Sequence, residues 1–117
     1  HIKDASKAMS NMTRLLKEGG SMIISFPFTI YDYVSNVYDL PEADPICKQF
    51  NYIAQSFNED NLTHWKNTLG LDEVRRAYIR GWQGRYWRCG HRIPHPYVTD
   101  CAAEANAVIL LLEKRKT

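Results

Sequence analysis

Apolar residues recur at helical spacing near the start of the chain and then run without interruption. From Asp4 to Lys17 they form one stripe, which predicts an amphipathic helix with Asp4 as its N-cap. Gly19 and Gly20 follow, and glycine accepts the left-handed conformation that ends many helices. The next segment, Ser21 to Phe26, shows no polar alternation. We therefore expect a strand buried on both faces, in the middle of a helix-covered sheet.

The rest of the pattern predicts one more helix and two more strands, separated by irregular stretches. The stretch 29–54 is acidic, rich in tyrosine and broken by prolines, and loops of this length are often lids or binding loops. A helix should begin after Asn58, a good N-cap. Residues 73–82 suggest an edge strand, because arginines interrupt the apolar positions. The apolar run within 103–115 favours a buried strand with a charged exit, although periodicity alone also permits a helix.

The composition fits one folded domain that covers residues 1–117. Hydrophobic residues make up 44 % of the chain, and the net charge of +2 does not by itself indicate a nucleic-acid partner. Three cysteines without a framework spacing are typical of a reducing, cytoplasmic environment. No apolar run approaches the length of a membrane span.

Three groups of residues follow one another in an informative order. His1-Ile2-Lys3-Asp4 precedes Arg14-Leu15-Leu16-Lys17-Glu18-Gly19-Gly20, which precedes Ser21-Met22-Ile23-Ile24-Ser25-Phe26-Pro27-Phe28. Further on come Phe57-Asn58-Glu59-Asp60-Asn61-Leu62, Trp65 and Leu69-Gly70-Leu71, and then the hydrophobic stretch from Ala105 to Lys114. This order resembles the C-terminal half of class I, Rossmann-like S-adenosylmethionine-dependent methyltransferases.

The resemblance implies an α/β fold, a partial Rossmann-like three-layer sandwich with at least two helices. The small mixed sheet would hold the strands equivalent to 5, 7 and 6 of the family, in that order. The whole chain would then form one domain, the acceptor-side half of a methyltransferase-like fold.

The resemblance also implies where a site would lie. The methyl acceptor would face the loop after the first strand, so Phe28, Tyr31 and Tyr33 are candidate substrate-binding residues, and His1 would lie near the cofactor. The alternative is a tyrosine-rich loop that packs on its own core. No catalytic residue is identified, because methyl transfer depends mainly on positioning and desolvation.

The glycine-rich cofactor loop of the family has no counterpart in this chain. We therefore expect the parent protein to use S-adenosylmethionine and this chain alone to bind none, which leaves open whether the chain is an enzyme. Its partner would be the missing N-terminal half. The alternative is a stand-alone assembly module that completes its sheet by homodimerisation through Ser21–Phe26.

Two other sets of residues suggest weaker functional hypotheses. Cys89, His91, His95 and Cys101 could each bind zinc, but their spacing matches no common finger, so we expect no metal site. A basic-aromatic stretch could bind single-stranded nucleic acid. We favour the interpretation that it is an edge strand whose arginines face the solvent. Its members are Arg75, Arg76, Arg80, Arg85, Arg88 and Arg92, with Trp82, Tyr86, Trp87 and Tyr97.

Overall fold

The computed structural model describes residues 3–49 and 52–116, which form two helices and a four-stranded sheet. The helices are α1 (Ala5–Leu15) and α2 (Glu59–Leu69). The strands are β1 (Ser21–Pro27), β2 (Leu71–Trp82), β3 (Arg92–Thr99) and β4 (Ala107–Lys114). Short 3₁₀ turns lie at Val37–Asp39, Pro45–Gln49 and Ala102–Glu104.

Both helices begin where their capping residues predict. The Asp4 carboxylate accepts a hydrogen bond from the Lys7 amide at 2.9 Å and so satisfies an amide of the first turn of α1. Asn58 and Asn61 cap α2 reciprocally, each side chain accepting from the other residue's backbone amide. Gly70, with φ at 65°, ends α2 in the left-handed conformation.

The sheet has the strand order β1–β4–β2–β3. β4 lies between β1 and β2 and runs antiparallel to both, so β1 and β2 point in the same direction. The order of β1, β4 and β2 is the order that the resemblance implies for strands 5, 7 and 6. The expectation of a mixed sheet was wrong, because every neighbouring pair of strands in the described residues is antiparallel.

The prediction that Ser21–Phe26 is a central strand covered on both faces was also wrong. β1 is an edge strand, and the Ile23 side chain is 76 % exposed. The prediction that this strand lies beside the apolar strand in 103–115 is confirmed, because β1 pairs with β4 along its whole length. An uninterrupted apolar run shows that both faces of a strand are apolar, but whether both are covered depends on what packs against them.

The prediction that residues 73–82 form an edge strand was wrong for the C-terminal part of β2. The proline-containing segment Arg92–Thr99 forms β3, which pairs with the outer side of β2 from Tyr78 to Trp82. This part of β2 therefore lies between two strands, whereas the outer side of residues 71–77 has no strand beside it among the described residues. The register between β2 and β3 shifts between Arg80 and Trp82, which marks a β-bulge at Gly81.

Both helices pack on the same face of the sheet. Their core residues meet alternate residues of β1 and β4, and the members are Met9, Phe26, Leu62, Trp65, Val108, Leu110 and Leu112. The opposite face carries Ile23, Leu111 and Ile109 and has no helix over it in the described residues. These residues therefore form two layers, and the third layer of the expected sandwich is not among them.

Candidate functional site

The loops that follow β1 and β2 meet at one end of the sheet. Residues 28–58 leave the C-terminal end of β1, and residues 83–91 leave the C-terminal end of β2, which runs in the same direction. A backbone hydrogen bond of 2.8 Å from the Asp44 amide to the Arg88 carbonyl joins the two loops. Ligands of open α/β sheets usually bind at the carboxyl ends of the strands, and β1 and β2 both end here.

A cavity of about 440 Å³ lies beside β1 at this end. Its floor is Ile24–Pro27, and one wall is the face of α1 that carries Ala5, Met9 and Met12. Apolar side chains make up most of the lining, with a few polar groups at Ser25, Tyr38, Gln55 and Arg88. This mixture of apolar walls and a small number of polar groups is typical of small-molecule sites.

One wall of the cavity is held by an asparagine that the sequence pattern did not single out. The Asn36 side-chain oxygen accepts hydrogen bonds of 3.2 Å from the amides of both Tyr38 and Ala54. The Val37 amide donates to the Ala54 carbonyl at 2.7 Å. These bonds join two parts of the irregular 29–54 stretch that are far apart in sequence, and they place Tyr38 and Ala54 against the cavity.

A second buried asparagine shapes the loop that carries Trp87 and Arg88. The Asn106 side-chain oxygen accepts from the Gly81 and Trp82 amides at 2.8 Å, and its amide nitrogen donates to the Gly84 carbonyl at 2.9 Å. Asn106 is fully buried. Its side chain therefore satisfies three backbone groups at the bulge of β2 that would otherwise lack partners.

Among the described residues, Arg88 is the only cation that lines the cavity. Its guanidinium lies 3.7 Å from an Asp44 carboxylate oxygen and 5.5 Å from the centre of the Trp82 ring. Its φ is 69°, a conformation that costs an arginine roughly 1–2 kcal/mol. Backbone strain of this kind is often found at binding sites, so it supports a functional role for the loop.

The predicted substrate-binding residues are divided between different places. Phe28 is 2 % exposed and packs against Tyr78 at 5.5 Å between ring centres. Tyr31 is on the surface, with the Arg85 guanidinium 4.4 Å from its ring centre. His1 lies outside the described residues.

Tyr33 reaches the cavity through a residue that sequence reasoning missed. Its hydroxyl donates to the side-chain oxygen of Gln55, whose amide nitrogen donates to the Lys3 carbonyl at 3.2 Å. Gln55 lines the cavity beside β1 and also a second cleft, of about 570 Å³, which Tyr33 lines with His64. No sequence motif marks Gln55, because its position depends on the path of the long loop.

The polar groups near the cavity do not form an acid–base pair. No aspartate or glutamate of the described part of the chain lines it. On the neighbouring loop, burial and the charge of Asp32 raise the pKa of the Tyr86 hydroxyl, so this group stays neutral at physiological pH. The arrangement can bind and orient a ligand, and its described residues supply no general base.

A group of charged residues away from the cavity connects β2 to α2. Burial opposes ionisation of Glu73, but hydrogen bonds from Arg76 and Lys66 outweigh it and hold the pKa of the carboxyl below its ordinary value. Arg76 also pairs with Glu59, so this group connects β2 to α2.

The proposed zinc ligands do not come together. Cys89 is buried, Cys101 is exposed, and no three His, Cys, Asp or Glu side chains in the described residues are placed to hold a metal ion.

Comparisons with protein-family models, curated proteins and solved structures found no match. Neither described helix has the length and apolar character needed to cross a membrane.

Proposed function

We propose that this chain is the acceptor-side half of a Rossmann-like, S-adenosylmethionine-dependent methyltransferase domain. The observation that carries the proposal is the position of β4. This last strand lies between β1 and β2, antiparallel to both, and each of those two strands follows a helix. The order is the one that the resemblance implies for strands 5, 7 and 6.

The cavity beside β1 does not fit the cofactor itself. S-adenosylmethionine carries a sulfonium cation, whereas the described lining of this cavity holds the guanidinium of Arg88 and no carboxylate. The proposal therefore assigns cofactor binding to a separate half-domain that carries the glycine-rich loop, and it assigns only the acceptor to this chain.

The residues of this chain would hold the acceptor in place. Trp87 and Phe57 offer ring surfaces, while Tyr38, Gln55 and Arg88 offer polar contacts. Positioning of this kind lowers the barrier of a bimolecular displacement without acid–base catalysis. Arg88 would favour an acceptor with an anionic group, and its partner Asp44 would moderate that preference.

The test is calorimetry with S-adenosylhomocysteine, the demethylated product. We expect no binding by the 117-residue chain, and binding by a longer chain that includes the reading frame upstream of His1. Arg88→Ala in the longer chain should weaken methyl transfer but leave cofactor affinity unchanged. An upstream frame without a strand and glycine-rich loop, or one that has them and binds no cofactor, would contradict the proposal.

A second candidate function is an assembly module that completes its sheet by homodimerisation. The observation that favours it is the composition of the free edge of β1. The residues Ser21–Ser25 carry no charge and no proline, although exposed edges normally carry such protection.

A further inference from the structure

The outer edge of β1 is free over only five residues. The Phe28 amide donates a 2.8 Å hydrogen bond to the Asn106 carbonyl, next to the last pair of the β1–β4 ladder. The backbone amides and carbonyls that point towards β4 therefore belong to residues 22, 24, 26 and 28. In an antiparallel ladder the alternate residues then point their backbone groups outward. Phe57 closes the edge at its far end, because its amide donates to the Pro27 carbonyl at 3.0 Å.

The free window therefore runs from Ser21 to Ser25, and its centre is Ile23. The outward groups belong to Ser21, Ile23 and Ser25, and in the described part of the chain none of them has a backbone partner. Each of these residues offers one amide donor and one carbonyl acceptor. The window can accept a strand whose own outward residues have the same two-residue spacing.

We propose that a second copy of this chain occupies the window, with its β1 antiparallel and Ile23 opposite Ile23 of the partner. A two-fold axis at Ile23 pairs Ser21 with Ser25 of the other copy, so all outward residues form hydrogen-bonded pairs. A register shifted by two residues leaves one end of each window unpaired. The position of the window thus selects one register for a symmetric dimer.

The side chains of the window suit this register. The sequence Ser-Met-Ile-Ile-Ser has the same order of polar and apolar residues in both directions. On the open face, the exposed Ile23 side chains of the two copies would be neighbours, next to Leu111 of each copy. Cross-strand pairs of β-branched residues stabilise a sheet, and the contact would cover apolar surface that one copy leaves exposed.

Charge also favours the antiparallel arrangement. The turn before β1 carries Lys17, and the Lys116 side chain lies against Gly19 of the same turn. The loop after β1 carries Asp32, Asp39, Glu42 and Asp44. Glu18 in the turn, and Arg85 and Arg88 beside the loop, offset part of this difference. An antiparallel partner still brings the more basic end of one strand towards the more acidic end of the other, whereas a parallel partner would place like ends together.

This inference rests on the second candidate function, sheet completion through β1, and does not depend on methyl transfer. A cofactor-binding half-domain would compete for the same edge. Failure to dimerise would leave the calorimetric test unaffected, and failure to bind S-adenosylhomocysteine would leave the dimer unaffected.

Sedimentation of the 117-residue chain over a dilution series tests the interface. The wild type should dimerise, and Ile23→Lys should weaken the dimer roughly tenfold or more, because like charges would lie opposite each other. Val98→Lys is the matched control, since Val98 is 68 % exposed on the other edge strand. It should leave dimerisation unchanged, and circular dichroism should show that both variants fold.

Cysteine cross-linking tests the register. With Cys47 and Cys101 replaced by serine, Ile23→Cys should form a covalent dimer on mild oxidation, since paired Cα atoms lie about 5.5 Å apart. Ser21→Cys should not, because residue 21 would lie about 14 Å from its own copy. A wild type that stays monomeric, a dimer lost in Val98→Lys, or cross-linking by Ser21→Cys alone would overturn the proposal.

Discussion

β1 and β3 are the two edges of one sheet, but only β3 carries residues that hinder further pairing. Pro94 and Pro96 lack the amide that a neighbouring strand would need, and Arg92 adds charge. The free window of β1 has no such residue. The difference supports the proposal that the sheet ends at β3 and continues through β1 into a second copy.

The largest effect should come from β4, which lies between β1 and β2. Leu110→Ala removes a side chain that is 1 % exposed beneath the helices and should lower the free energy of unfolding by about 2–5 kcal/mol. Leu111→Ala, on the open face, should cost about 1 kcal/mol or less in the monomer. Urea unfolding at high dilution measures both. Equal losses would mean that the two faces are equally covered.

Asn106→Ala should destabilise the side of the sheet that carries β3 more than the side that carries β1. It leaves the buried amides of Gly81 and Trp82 and the Gly84 carbonyl without their partner, so we expect a loss of about 2–4 kcal/mol in urea unfolding. Asn67→Ala, at an exposed position of α2, is the control and should change stability by less than about 0.5 kcal/mol. Dimerisation through β1 should persist in folded Asn106→Ala, and its loss would contradict the separation of the two edges.

Replacing both Pro94 and Pro96 by valine should make β3 more like β1. The variant regains two backbone amides at an exposed edge, so we expect association beyond the dimer that light scattering detects as a several-fold rise in mean mass. Adding Ile23→Lys should not abolish this new association, because it uses the other edge. An unchanged mass would show that the prolines do not protect β3.

Replacing Glu73 should give the smallest change in stability, and that change should depend on pH. Its folded-state pKa is lowered, so its contribution to stability is present above the unfolded pKa and is lost as the pH falls through the folded value. Glu73→Gln should cost about 1 kcal/mol at pH 7 and progressively less as the solution is acidified. Thermal unfolding at several pH values checks this, and a difference that grows in acid would contradict it.

Local sequence signals located most of the secondary structure. Asp4, Asn58 and Gly70 determine helix ends through contacts within a few residues, and the apolar pattern located β1 and β4. β3 was not predicted, because its two prolines are unusual in strands. Its pairing depends on the neighbouring strand β2 and has no local signal.

The candidate site was much harder to predict than the fold. The Asn36 side chain accepts a hydrogen bond from the amide of Ala54, 18 positions later in the sequence. The Asn106 side chain accepts one from the amide of Gly81, 25 positions earlier, at the bulge of β2. Neither contact has a local sequence signature. The tyrosines after β1 were identified correctly as loop residues, but the path of the loop carried Tyr31 to the surface, and Tyr33 reached the site only through Gln55.

Amide hydrogen exchange along β1, followed by NMR at low and high protein concentration, tests the interface most directly. The amides of Met22 and Ile24 face β4 and should be protected at both concentrations. The amides of Ile23 and Ser25 should gain protection only in the concentrated sample and lose it in Ile23→Lys. Rapid exchange of these two amides at every concentration, with Met22 and Ile24 still protected, would contradict the account.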